Sequence, residues 1–151
     1  MQPFNASILL LNLLATFSLT GIIWLIQVLH YPFLRFADPA RFQDAHNFHV
    51  RAITPVVAPL MIIELVAAML FVFFPPNDTP LLLPVAGMCL VAIVWLSTFL
   101  IQVPLHNSIS KDFDAAIHRR FVAGNWIRTA CWTARSAILG YVAFRVFVGR
   151  L

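Results

Sequence analysis

Four long apolar runs, at about residues 6–29, 52–74, 81–103 and 126–148, constrain what this chain can fold into. Each run reaches the roughly 20 residues that a helix needs to cross the hydrocarbon core of a bilayer. Only 11% of the residues are charged, whereas about a quarter are charged in a soluble domain. The runs therefore predict an all-α integral membrane protein, a single transmembrane domain with helices at about 6–29, 39–74, 81–103 and 112–148.

The positive charges indicate how the chain is oriented. They flank the first and third connections between the runs, at Arg35, Arg41, Arg51, Lys111, Arg119, Arg120 and Arg128. The middle connection, residues 75–80, carries none. Connections rich in Lys and Arg stay on the cytoplasmic side. We therefore expect both of these bends in the cytoplasm and both termini outside, in the inner (plasma) membrane of a bacterium. Since this topology accounts for the basic composition, no nucleic-acid partner is expected.

The two halves of the chain resemble each other. The stretch 42–54 aligns with 121–129, which places His46 on Asn125 and His49 on Arg128. The preceding stretches 26–30 and 101–106 also match, each beginning Ile-Gln-Val and ending in His. This internal repeat predicts two tandem helical hairpins that close into a four-helix bundle. The polar end of each hairpin then lies on the cytoplasmic side.

Histidines concentrate at that end of the predicted bundle. The candidate metal ligands are His30, His46, His49 and His106. In an antiparallel hairpin the end of one helix meets the start of the next, so these imidazoles are expected to converge. Neutral imidazoles bind Fe, Cu and Zn, and bundle cores commonly hold such sites. Metal-free acid–base chemistry and a purely structural role for the histidines remain alternatives, because His-x-x-His is unspecific and no HExxH or CxxC pattern is present.

Polar residues of other types accompany the histidines. Gln27, Gln102 and Asn107 are predicted to bind a cofactor or to orient its ligands. Arg128 and Asn125 are the predicted catalytic residues. An arginine cannot ligate a metal, and Arg128 is suited to holding an anionic group such as a carboxylate, an enolate or a phosphate.

Further polar residues lie deeper in the runs. Asn12, Thr16 and Thr20 form a stripe that we expect to make hydrogen bonds between helices. Arg135 needs a partner inside the membrane, and Glu64 is a candidate although the two depths match poorly. His118 stands beside Arg119 and Arg120, so we expect it to face water or lipid headgroups.

Three short motifs resemble a known family. They are His30-Tyr31-Pro32 after the first helix, Val103-Pro104-Leu105-His106-Asn107 after the third, and Asn125-Trp126-Ile127-Arg128-Thr129 opening the fourth. They are similar to motifs of the anthrone oxygenase-like family of small four-helix membrane proteins. In that family's pattern His and Pro are adjacent and an Asn stands near the position of His106, while the His46/His49 pair is no part of it. The resemblance implies a four-helix fold and oxygenation of an aromatic or polyketide-like substrate.

Three functions compete at this level. The first is an oxidoreductase, metal-dependent in one version, that acts on a lipophilic small molecule arriving from the lipid bilayer. The second is a non-catalytic accessory or structural subunit of a larger membrane complex. A small transporter is the third and would need a homo-oligomer, since parallel repeats occur in transporters but four helices leave little room for alternating access. An outward-facing polar stripe on the first or fourth helix would favour the second function.

Overall fold

Four long helices contain nearly all of the residues that the computed structural model describes, which are 2–36, 41–76, 79–109 and 114–149. They are α1 (Pro3–Phe33), α2 (Phe42–Phe73), α3 (Leu82–Ser108) and α4 (Ala115–Val148). These four ranges contain no β-strand. By length and composition α1, α2 and α3 can each cross a membrane. The all-helical class and the membrane character predicted from the apolar runs are therefore supported.

The ends of the helices differ in part from the predicted ranges. α1 begins earlier and ends later than 6–29, and α3 continues beyond residue 103 through Pro104. The predicted starts of the second and fourth helices, at 39 and 112, lie outside the described residues. Asp114 caps α4, because its Oδ1 accepts hydrogen bonds from the backbone N–H groups of Ala116 at 2.6 Å and Ile117 at 3.2 Å.

Two π-helical turns interrupt the regular helices at the histidine-bearing end. One is Ile26–His30 in α1 and the other is Thr98–Gln102 in α3. Each ends two residues before a proline, Pro32 or Pro104. Proline has no N–H to donate and its ring clashes with the carbonyl of the preceding turn. A wider turn relieves this clash and lets the helix continue. This explains why α3 does not end where the sequence predicted.

The helices pack in a ring, α1 against α2 and α4, and α3 against α2 and α4. Three apolar clusters follow one another along the bundle. They are centred on Ile8, Phe71 and Leu139, then on Leu19, Met61 and Trp132, and then on Ile26, Tyr31 and Phe121. Many large apolar side chains remain exposed on the outside, for example Leu25, Leu82 and Leu100. Such a surface suits contact with lipid tails.

A polar network crosses the middle of the bundle and contains an ion pair. Nε of Arg135 lies 3.1 Å from Oε1 of Glu64, and both side chains are almost fully buried. Oε1 also accepts from the hydroxyl of Thr16 at 2.7 Å, and Oε2 accepts from the indole N–H of Trp132 at 2.9 Å. Nη2 of Arg135 donates to Oδ1 of Asn12. Glu64 is thus the partner of Arg135, despite the mismatch in depth that the sequence suggested.

The polar stripe of α1 faces this network and connects helices, as expected from its spacing. Nδ2 of Asn12 donates to the carbonyl oxygen of Ala67 in α2 at 2.8 Å. The hydroxyl of Thr20 lies 2.8 Å from that of Ser136 in α4. The stripe therefore points into the bundle and does not need an outside partner to cover it.

α3 packs closely against Arg135 of this network at Gly87, where the residue has no side chain. A β-carbon built on Gly87 would lie 2.8 Å from Nη1 of Arg135, well inside contact distance. We expect Gly87→Ala to lower the free energy of unfolding by about 1–3 kcal/mol, because the guanidinium is fixed by its hydrogen bonds and cannot move freely. Denaturation in mixed micelles measures this change. Gly21→Ala is the matched control, since nothing lies within 4 Å of that position, and an equal loss there would contradict the explanation.

Candidate functional site

The four predicted histidines lie together at one end of the bundle. The rings of His30 and His49 stack with their centroids 4.1 Å apart. Nδ1 of His106 lies 3.2 Å from Nε2 of His46, and the centroids of His49 and His106 are 6.3 Å apart. These contacts bring α1, α2 and α3 to one place. The convergence that hairpin geometry predicted for these side chains is therefore present in the fold.

The contact between His46 and His106 has a chemical consequence. In a hydrogen bond between two ring nitrogens, one nitrogen carries the proton and the other accepts it with its lone pair. At least one of the two rings is therefore a neutral imidazole while this bond exists. His46 is buried and Phe121 packs edge-on against His106, with their centroids 4.5 Å apart. The pair offers a proton acceptor in mostly apolar surroundings.

The histidine cluster does not have the geometry of a metal centre. Within residues 2–36, 41–76, 79–109 and 114–149, no group of three or more His, Cys, Asp or Glu is placed to hold an ion. Nε2 of His46 already contacts His106, and the faces of His30 and His49 lie against each other. The arrangement therefore does not fit the Fe, Cu or Zn ligand set predicted for these four residues. We derive no chemistry through a metal.

A cavity of about 290 Å³ adjoins the histidines. His49 and His106 form part of its wall, and the rest is largely apolar side chains of α2 and α3, with Tyr31 of α1 and Arg128 of α4 lining it as well. It reaches the outer surface between α2 and α3, where Thr54 is exposed. The volume is close to the lower limit of about 300 Å³ for small-molecule pockets. It suits a small ring system or part of a larger apolar molecule.

Arg128 is a buried cation in the wall of this cavity. Only 8% of its surface is exposed. Nη1 donates to Oδ1 of Asn125 at 3.3 Å, and Cζ lies 5.0 Å from the centre of the Trp132 ring. Nε has no hydrogen-bond partner, and no carboxylate among the described residues pairs with the guanidinium. Within the part of the chain that the structure describes, its positive charge is therefore met by a neutral amide and an aromatic face.

Two of the predicted polar residues lie behind Arg128 and outside the cavity wall. Oε1 of Gln27 accepts from Nδ2 of Asn125 at 2.7 Å, while Nε2 of Gln27 donates to the carbonyl oxygen of Val122 at 3.1 Å. The chain from Gln27 through Asn125 to Arg128 fixes the position of the guanidinium. Gln27 and Asn125 thus hold Arg128 in place from outside the cavity wall, and the cofactor binding and catalysis predicted for them stay predictions.

Gln102 and Asn107, by contrast, line the cavity, and the cofactor binding predicted for them stays a prediction. Gln102 is 1% exposed, and neither Oε1 nor Nε2 of its amide has a hydrogen-bond partner in the structure. A β-carbon on Gly124 of α4 would lie 3.2 Å from Nε2, so the glycine leaves room for this amide. Gln102 and Arg128 thus carry unpaired buried donors at one cavity.

Three residues of this region have roles that the sequence did not show. Tyr31 lines the cavity between His49 and His106, at centroid distances of 5.9 Å and 6.4 Å. His118, expected to be solvated, is buried with Nε2 3.0 Å from the carbonyl oxygen of Tyr31. Trp132 contacts both Arg128 and Glu64. In the sequence, Trp132 follows Arg128 by four residues and precedes Arg135 by three, and residues so spaced share one face of a helix. This spacing could have indicated the position of Trp132.

Comparisons with known proteins leave the site to be interpreted from its own geometry. No protein-family model, no curated protein and no solved structure matches this chain.

Proposed function

We propose that this protein is a small four-helix membrane enzyme, built from two tandem hairpins, that oxidises a lipophilic substrate in the cavity between α2 and α3. Oxygenase chemistry on an aromatic or polyketide-like substrate is the class that the sequence resemblance implies. One observation carries the proposal: His49 of α2, His106 of α3 and Arg128 of α4 line the same largely apolar cavity, while His30 and His46 contact these two histidines. We further propose that the histidine-bearing end faces the cytoplasm.

The chemistry of these side chains suits a substrate with a weakly acidic C–H group beside a carbonyl. The neutral imidazole of the His46–His106 pair takes the proton, and an N–H bond replaces the C–H bond. The electron pair moves onto the carbonyl oxygen, which becomes an enolate oxygen. Arg128 and Gln102 are placed at the cavity to donate hydrogen bonds to that oxygen. Dioxygen, the co-substrate, then accepts the electrons of the enolate. One oxygen atom becomes a new carbonyl on the carbon that lost its proton, and the other leaves as water with the two hydrogens of the former methylene group.

The orientation of the polar side chains favours this function over that of an accessory subunit. A subunit that ties a larger complex together would present polar side chains toward its partners. The polar residues of α1 and α4 instead face the bundle interior, as the burial of Asn12, Thr16, Asn125 and Arg135 indicates. The unpartnered polar atoms of Gln102 and Arg128 also lie inside, at the cavity.

Anthrone is a direct probe of this proposal, because its methylene group is acidified by a ring carbonyl and the molecule is apolar. The full chain in lipid nanodiscs is expected to accelerate oxygen uptake and anthraquinone formation above the rate with empty nanodiscs. We expect His106→Ala to lower this rate by roughly 10²–10⁴-fold, the usual contribution of a general base. Elemental analysis for Fe, Cu and Zn in the same sample tests the metal-dependent version.

His118→Gln is the matched control, because it removes an imidazole from the same end of the protein outside the cavity wall. Its rate is expected to stay close to that of the wild type. A wild-type rate equal to that of empty nanodiscs, or an unchanged rate in a folded His106→Ala variant, would contradict the proposed function.

A further inference from the structure

We propose that the cavity binds a lipophilic weak acid as its anion, with the anionic oxygen at Arg128 and Gln102 and the apolar body along α2. This inference deepens the proposed function, on whose site it rests, by naming the class of ligand. It concerns binding alone, so a test of binding does not depend on turnover.

The first argument is a comparison of the two arginines buried in α4. Arg135 donates to Glu64, Thr16 and Asn12, and its charge is neutralised by the carboxylate. Among the described residues, Arg128 donates to the neutral amide of Asn125, and its Nε has no partner.

A buried charge is costly unless it is paired and hydrogen-bonded. The same helix therefore contains one arginine that is satisfied within the protein and one that is not. An anionic oxygen in the cavity would give Arg128 the partner that Arg135 finds in Glu64.

The second argument is independent of charge and comes from Gln102. Only 1% of Gln102 is exposed, yet neither polar atom of its amide has a hydrogen-bond partner among the described residues. Buried amides are normally hydrogen-bonded. Because Gln102 and Arg128 line one cavity, a single ligand oxygen or carboxylate can accept from both. Arginine donors favour a planar, two-oxygen acceptor such as a carboxylate.

The rest of the wall specifies an apolar body. Along α2 the cavity is lined by Ile53, Val57 and Met61, and Met61 belongs to the apolar cluster in the middle of the bundle. A bare inorganic anion would leave this surface unfilled. A two-chain phospholipid is too large for about 290 Å³. A fused aromatic ring system that carries one carboxylate or enolate satisfies both parts of the site.

The path into the cavity also suits such a ligand. The exposed residues of the cavity wall, Thr54, Val103 and Asn107, belong to α2 and α3. Beside them α2 contains Pro55 and Pro59, and α3 contains the π turn Thr98–Gln102. Both helices are apolar enough to cross a membrane. A lipophilic acid dissolved in the bilayer therefore reaches the site sideways.

Equilibrium binding of 2-naphthoate to the full chain in phosphatidylcholine nanodiscs tests the proposal, with neutral 2-naphthamide as the matched probe. We expect naphthoate to bind about tenfold more tightly than naphthamide, the order of a charge-assisted hydrogen bond. Arg128→Gln is expected to abolish this preference without lowering the unfolding temperature. Arg145→Gln removes the same charge from an exposed position of α4, and it is expected to keep the preference.

Three results would overturn the proposal: equal affinity of the wild type for the two probes, a preference that survives in Arg128→Gln, or displacement of naphthoate by inorganic phosphate at equal concentration. Displacement by phosphatidic acid added to the nanodiscs would identify a lipid headgroup as the occupant and would also overturn it. Binding with the expected preference but no anthrone oxidation would refute the proposed enzyme and leave the anion site standing.

Discussion

Glu64→Gln is expected to lower the free energy of unfolding by about 3–5 kcal/mol, because it leaves Arg135 charged and unpaired inside the bundle. Gln has nearly the same size as Glu, so the loss reports the charge and its hydrogen bonds and not a cavity. Thr16, Trp132 and Arg135 all bond to the Glu64 carboxylate. Unfolding of the purified protein in mixed micelles by increasing dodecyl sulfate measures the change.

A double replacement separates pairing from packing. When Glu64→Leu is combined with Arg135→Met, both charges disappear, and most of the lost stability is expected to return, since buried ion pairs are often no more stable than apolar residues of similar volume. Asp44→Asn serves as control, because Asp44 is an exposed carboxylate of the same helix. A Glu64→Gln variant that unfolds at the same dodecyl sulfate fraction as the control would contradict the buried pair.

Trp132→Ala is expected to cost about 3–5 kcal/mol, the usual range for removing a fully buried large aromatic side chain. The indole is 1% exposed and packs in the central apolar cluster. It also donates its N–H to Glu64 and carries the guanidinium of Arg128 on its face. Its removal therefore weakens the ion-pair network and the support of the cavity arginine together.

Trp132→Phe divides that loss into two parts. Phe retains an aromatic face but has no N–H, so one oxygen of Glu64 loses its donor, and we expect a cost of about 1–3 kcal/mol. Trp126→Ala is the control, since Trp126 is 47% exposed on the same helix. Unfolding curves of the three variants in the same micelles provide the comparison. If Trp132→Ala is as stable as Trp126→Ala, the central role of Trp132 is contradicted.

The sequence alone was sufficient to predict the long helices, three of which are apolar enough to span a membrane, and the convergence of the histidines. Both follow from local rules, because the length of an apolar run determines whether it can span, and adjacent antiparallel helices bring the end of one to the start of the next. His30 meets His49 by this rule. His106 of α3 contacts His46 of α2.

The pairing of Glu64 with Arg135 could not be predicted with the same ease. The alignment of the two halves placed Asn125 at the level of His46, which set Arg135 about eight residues too shallow for Glu64, roughly 12 Å along a helix. In the structure Asn125 bonds to Gln27, whereas His46 bonds to His106. The contacts therefore do not follow the sequence alignment residue for residue.

α4 shows a second limit, which concerns the prediction of membrane-spanning helices from hydropathy. It is not among the helices apolar enough to span, although it is as long as the others. Arg128 and Arg135 lower its hydropathy, yet both lie inside the bundle. A hydropathy average counts every charged residue as if it faced lipid. The free-energy cost of a charge inside the membrane depends instead on whether its side chain points toward lipid or into the bundle. Only packing reveals that direction.

The sideways opening between α2 and α3 changes how ligand affinity has to be expressed. If the added carbons of a bound acid extend through this opening into the bilayer, they leave water on binding although the protein does not contact them. Each extra methylene on a ligand contributes about 0.8 kcal/mol to membrane transfer. Within a homologous series of acids, the aqueous concentration for half-saturation should then fall roughly fourfold per carbon. This would occur even when the added carbons touch nothing in the protein.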